Sequence, residues 1–225
     1  MNRRDYLRTA TAVGLTGSVA GCTGLLDGGG NPNVTLGEPD REVDASSEDL
    51  PYPAWGQKVP DVSLPAPVDD RTVDLRSIDT PSLLTFFYSH CNTVCPVLIS
   101  AMRNVQTHSL NEGYADEVAF FPTTFDPARD DADRFRAYAD EMNVDTDAGN
   151  WHFLRPESKD RAKAVVQEQF GVRFDRTEPE DMDMYMFAHS ALTFLVNADG
   201  YVERAYRSKS PDADQILSDL ETVRA

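Results

Sequence analysis

The chain has 225 residues, of which 38 are acidic and 21 basic, for a formal charge of −17. A surface of that sign repels phosphate backbones and excludes DNA or RNA as a partner. The length left after the N-terminal segments suits one domain with a full core, and no internal repeat divides it.

The first segment reads as targeting, not fold. Asn2-Arg3-Arg4-Asp5-Tyr6-Leu7-Arg8 resembles a twin-arginine export signal. The apolar stretch from Thr9 to Gly21 is too short to span a bilayer. It ends in Val19-Ala20-Gly21-Cys22, which resembles a lipobox, with cleavage before Cys22 and a lipid on its thiol. The expectation is a signal over 1–21 and a protein anchored by Cys22 to the outer face of the cytoplasmic membrane. Losing residues 1–21 removes three Arg and one Asp, leaving 37 acids against 18 bases, a charge of −19. Residues 22–55, with Gly28-Gly29-Gly30, several prolines and many acids, read as a flexible linker that buries too little to offset its ordering entropy.

Residues 56–225 read as the folded domain. Val59–Leu64 and Thr72–Asp74 suggest a short hairpin or edge. Leu83–Tyr88 is continuously apolar, as in a buried central strand. A helix is predicted over Val97–Leu110, with Leu98, Met102 and Val105 at helical spacing, and a second buried strand over Glu117–Thr124. Asp131–Met142 is an amphipathic helix, with Asp130-Asp131 as its cap and dipole partner. Trp151–Leu154 reads as a short strand, and Pro156–Phe170 as a helix closed by Gly171. Arg173–Asp183 is polar and interrupts the alternation. Ala191–Val196 and Tyr201–Tyr206 flank Asn197-Ala198-Asp199-Gly200 as a hairpin, and Asp212–Val223 closes the chain as a helix with Ile216, Leu217 and Leu220 inward. This order predicts a three-layer α/β domain with a central mixed sheet, in the thioredoxin-like layout, ending in a β-hairpin plus helix.

The chemistry concentrates at one junction. Cys91 and Cys95, in His90-Cys91-Asn92-Thr93-Val94-Cys95-Pro96, lie between a strand and a helix. If Cys22 carries lipid, they are the remaining thiols of an exported protein, where thiols oxidise unless reduced or metallated. At i and i+4 they can converge, and a helix N-terminus favours thiolate. Thiolates select Cu(I), and an added imidazole also accommodates Cu(II). The chain has four histidines. His90 adjoins Cys91 but points away, His108 reads as solvated and His152 as structural. His189 precedes the hairpin strand, close to where the Cys-bearing helix begins.

Cys91-x-x-x-Cys95-Pro96 behind a strand, then Asp126-Pro127-x-Arg129-Asp130, then His189 before a strand–Asp-Gly–strand hairpin, is similar to the Sco/SenC family of copper proteins. The resemblance implies a thioredoxin-like fold and one copper ion, Cu(I) or Cu(II), held by Cys91, Cys95 and His189. It further implies help in assembling the binuclear copper centre of subunit II of cytochrome c oxidase or a related haem–copper oxidase, with a copper donor protein upstream. Asp126 falls in the family's acidic motif, which places it beside the site, supporting a ligand or meeting a partner; a plain turn role is the alternative. Two departures stand out: Asn92-Thr93-Val94 replaces the usual Pro-Asp between the cysteines, and a lipid replaces the usual transmembrane anchor. The spread of acids resembles surfaces of proteins from salt-loving archaea, where molar salt shortens the Debye length to about 3 Å.

The expected role is a metallochaperone and not a dedicated enzyme. The alternative is a membrane-anchored thiol–disulfide oxidoreductase in which Cys91 and Cys95 keep the client's copper-ligand cysteines reduced, a task that does not need His189. A thiol peroxidase is set aside, since no Thr or Ser and Arg surround a single activated Cys. Met182, Met184 and Met186 alternate before His189. On an extended segment they share one side, and they read either as soft ligands that capture copper or as the packing of a lid.

Overall fold

A computed structural model describes residues 31–40, 46–180 and 183–225. The expected signal, Cys22 and Met182 lie outside the described residues. In chain order the elements are a hairpin of β1 (Ser63–Ala66) and β2 (Arg71–Asp74), then β3 (Ser82–Phe87), α1 (Val94–Glu112), β4 (Ala119–Thr124) and α2 (Ala132–Met142). These are followed by α3 (Lys159–Ala162), β5 (Phe174–Thr177), β6 (Met186–His189), β7 (Thr193–Val196), β8 (Val202–Tyr206) and α4 (Ala213–Arg224).

The central sheet runs β4-β3-β7-β8. β3 pairs in parallel with β4 and antiparallel with β7, which continues antiparallel into β8. The sheet is therefore mixed, and the fold is the thioredoxin-like one expected. All six residues of β3 are buried, as its continuous apolar run requires. Its side chains alternate between faces: Phe87 packs on Phe135 and Tyr138 of α2 and on Phe153, while Phe86 packs on Phe170 and Phe194. Helix α1 lies against β3 and β4 and touches α2 and α4.

One outer rim of this sheet is occupied along its length and the other only at its beginning. Along β4, Phe120 and Thr124 donate to Asn150 and Leu154 carbonyls, and His152 and Leu154 donate back. The short strand predicted at Trp151–Leu154 is thus two parallel bridges. At the start of β8, Gly56 donates to the Val202 carbonyl and Val202 donates to Gln57, while Val59 donates to Gly200 in the turn before the strand.

Four local differences have physical causes. The helix expected over Pro156–Phe170 starts only at Lys159, where Ser158 caps it by accepting from Arg161 N at 3.1 Å; from Lys163 to Gln169 it widens into a π-helix. Gly171 then adopts φ +69°, and a Cβ there would run into the Pro51 carbonyl oxygen. Gly171→Ala is expected to cost about 1–3 kcal/mol in urea unfolding; an unchanged midpoint would remove this closing role. The polar segment Arg173–Asp183 contains a strand, β5, paired with β6; its partner lies beyond the segment, so local composition does not reveal it. Residues 33–37, read within the flexible linker, are docked. The buried Glu203 carboxylate accepts from Thr35 N and Leu36 N, each at 2.9 Å, and from Asn197 Nδ2 at 2.7 Å. Trp55 Nε1 donates to the Leu36 carbonyl at 2.8 Å. Composition does not show an acceptor 168 positions away. Finally, Asp131 alone caps α2, accepting from Arg134 N at 2.8 Å, because Asp130 is turned inward.

Candidate metal centre

The chain leaves β3 through Tyr88 and turns, with Cys91 N donating to the Tyr88 carbonyl at 3.2 Å. Helix α1 opens at Val94, and its cap residue Thr93 makes no side-chain cap bond. The Cys91 sulfur takes that place, accepting from Cys95 N at 3.4 Å, with Thr93 Oγ1 3.5 Å away. Cys91 therefore lies outside the helix, so a tight turn, and not a shared helix face, brings the sulfurs together. The unpaired N–H groups and positive end of the helix favour thiolate there. Pro96 costs little in the first turn, where its missing N–H has no intrahelical acceptor.

Both cysteines are unbridged and buried, Cys95 fully and Cys91 with 6 % exposed. Their acidities diverge. The hydrogen bond from the Cys95 thiol holds Cys91 far below the usual thiol range, with His189 adding to it. Burial, reinforced by Cys91, pushes Cys95 up. One proton shared between two close sulfurs has this result.

His189 ends β6, with Nε2 3.3 Å from Cys95 Sγ. Its Nδ1 lies 3.1 Å from the Ser190 carbonyl. A carbonyl only accepts, so Nδ1 carries a proton, and Nε2 is the ring nitrogen that faces the sulfurs. The donor atoms of Cys91, Cys95 and His189 all lie within 4.8 Å of one another. The Tyr88 and Phe125 rings wall the imidazole, with centroids at 6.2 and 5.1 Å. Burial pushes the Tyr88 hydroxyl up to about 12, so it stays a donor. Two thiols and an imidazole form a soft donor set that suits Cu(I) and admits Cu(II).

The other histidines stay apart from this group. His90 Nδ1 approaches Ser89 Oγ at 3.1 Å, and exposed His108 pairs with Tyr114 Oη. His152 is structural, as expected: it meets Asp69 Oδ2 at 3.0 Å, and burial holds its imidazole below the usual range.

Asp126 is 1 % exposed and paired with Arg129. It also accepts from Tyr185 Oη at 2.9 Å, so it supports the approach to His189 and is not among the three converging donors. The methionine stripe is not fully extended. Asp183 and Met184 form a bend before β6, and Met184 is half exposed. Met186 rests its sulfur 4.0 Å from Tyr88 Oη. Strand alternation sets Met186 opposite to Phe187 and His189.

Sequence reasoning missed the supports of the site. Asp130, fully buried, accepts from Ser89 N at 3.1 Å and from the hydroxyls of Ser89 and Thr124. Arg134 donates to Ser89 Oγ at 2.8 Å and to its carbonyl at 2.9 Å. The motif Asp126-Pro127-Ala128-Arg129-Asp130 held the only signal, two acids four apart.

The SCO1/SenC family model matches residues 69–225. The SCO1 protein homolog of Bacillus subtilis (strain 168) is 25 % identical over 157 residues, covering 69 % of this chain and 77 % of the relative. Copper-bound ScoI of Arabidopsis thaliana superposes with a TM-score of 0.59 at 21 % identity, covering 78 % of this chain and 99 % of that one. BsSco, described with a disulfide switch and as a member of the Sco family of cytochrome c oxidase assembly proteins, gives 0.60 at 22 % identity, covering 77 % and 96 %. These superpositions speak for the fold alone. The family match spans Cys91, Cys95, Asp126 and His189, and with it the chain belongs to the SCO1/SenC family.

Proposed function

We propose that this protein binds one copper ion through Cys91, Cys95 and His189 and passes it to a haem–copper oxidase, at the binuclear copper centre of subunit II. The observation that carries this reading is the convergence of the three donor atoms within 4.8 Å. Copper is cargo here, so the site has to release it as well as hold it. Cys91, at the mouth of the helix turn and already the more acidic thiol, is the sulfur open to exchange. The copper bound by Arabidopsis thaliana ScoI and the assembly role described for BsSco support the reading. Among the described residues no helix is long and apolar enough to cross a membrane. A lipid at Cys22 would hold the domain on the outer face of the cytoplasmic membrane, beside a membrane-embedded client and within reach of a copper donor protein.

The unequal thiols favour a second reading. A low-pKa sulfur beside a buried partner is the arrangement of a thiol–disulfide exchanger. Such an activity would keep the client's cysteines reduced before copper arrives. Titration of reduced protein with Cu(I) is expected to saturate at one equivalent. Protein that takes up no copper, yet reduces a peptide disulfide, would leave only the exchanger.

A further inference from the structure

The third ligand stands on an arm that the central sheet does not hold. Among the described residues β5 pairs only with β6, and Ser190 N returns to the Arg173 carbonyl within the same hairpin. Among the described residues no main-chain hydrogen bond joins this hairpin to the four-stranded sheet. Its placement depends on side chains: the Phe125 ring packs on Phe174, Phe187 and His189, and polar contacts gather at two further points.

The first is Tyr88, whose hydroxyl accepts from Phe187 N at 3.3 Å while its ring packs on the Phe187 ring at 5.2 Å. The second is a closed circuit around Tyr185, four residues before His189. Tyr185 Oη donates to Asp126 Oδ1 at 2.9 Å, and Asp126 pairs with Arg129. Arg129 Nη1 donates to the Tyr185 carbonyl at 2.9 Å and sets its guanidinium 3.7 Å from the Tyr185 ring. Arg176 of β5 stacks on the same ring at 3.9 Å. Tyr185, Phe187 and His189 share strand parity, so one turned edge carries the latched residue and the ligand together.

We propose that Asp126, Arg129 and Tyr185 form a latch that positions His189 against the cysteine pair. These are positioning residues, acting through the backbone of β6. The latch rests on the copper reading only for its consequence, namely that it decides whether an imidazole joins the two thiols. Supports of a metal-ligating histidine commonly change affinity about 10–100-fold.

Tyr185→Phe keeps the ring between its arginine neighbours and removes only the hydroxyl. In metal-free protein it is expected to speed amide hydrogen exchange of β6 about tenfold while β3 stays as in wild type. Cu(II) binding is expected to weaken about tenfold, and Cu(I) binding, carried by the thiolates, to change less than about twofold. Arg129→Gln is expected to act in the same direction. Unchanged β6 exchange in both variants overturns the latch, as does a rise in β3 exchange equal to that of β6, which marks general loosening. If wild type binds no copper but Tyr185→Phe still frees β6, the copper reading falls and the latch stands.

Discussion

His189→Ala is expected to weaken Cu(II) binding about a hundredfold or more and to leave Cu(I) binding within about tenfold. The asymmetry follows from the donor set. Two thiolates satisfy a soft Cu(I) ion, whereas Cu(II) gains most from the nitrogen that His189 brings to 3.3 Å from Cys95 Sγ. The ring is only partly buried, so its loss should not disturb the core. Cys91→Ser and Cys95→Ser are expected to abolish tight binding of both ions, because a hydroxyl is a poor ligand for soft copper. Competition titrations with chelators of known affinity, alongside the visible spectrum of the Cu(II) form, read all three variants. Cu(II) binding undiminished in His189→Ala would sink the three-ligand centre.

Asp130→Ala carries the largest expected effect on stability, about 2–4 kcal/mol in urea unfolding. The carboxylate is fully buried and collects three donors from two strands: Ser89 N and Oγ past the end of β3, and Thr124 Oγ1 at the end of β4. Thr124 Oγ1 in turn accepts from Asp126 N at 2.9 Å, so the two acids of the motif are joined. Truncation leaves these donors buried and unpaired, which costs more than a lost exposed contact. Asp133→Ala, on the exposed side of the next helix, is the control and is expected to stay within about 0.5 kcal/mol. Equal effects from the two substitutions would deny Asp130 its bracing role. Because Ser89 leads directly into Cys91, Asp130→Ala is also expected to raise the alkylation rate of the cysteines.

The contrast between Asp130 and Asp131 shows where the sequence was informative. Adjacent acids before an amphipathic stretch announce a helix start, and Asp131 does cap α2. Which of the two turns inward depends on Ser89, 41 residues away, and no local pattern encodes that. The continuous run Leu83–Tyr88 and the Asp199-Gly200 turn were legible because burial and backbone geometry each impose a local residue type. β5 was not legible: Phe174 is its sole large apolar residue, and Phe125 and Phe187, which pack on it, come from other elements. The three converging donors were legible as residue types, but their supports were not. Tyr88 and Tyr185 act through hydroxyls that reach across 99 and 59 positions, and a tyrosine in a sequence looks like core until such a partner is seen.

The occupied rim of β4 limits how anything can approach the central sheet. Asn150–Leu154 already use the outward hydrogen-bonding groups of β4, whereas Gly56 and Gln57 meet β8 only at Val202. A bare border invites strand addition, by a client or by a neighbouring copy, and invites aggregation by the same chemistry. Among the described residues β4 is sealed by a short irregular segment, so strand addition at the central sheet is left only the part of β8 beyond Val202. Encounters on the β4 side of the sheet then have to be made by side chains.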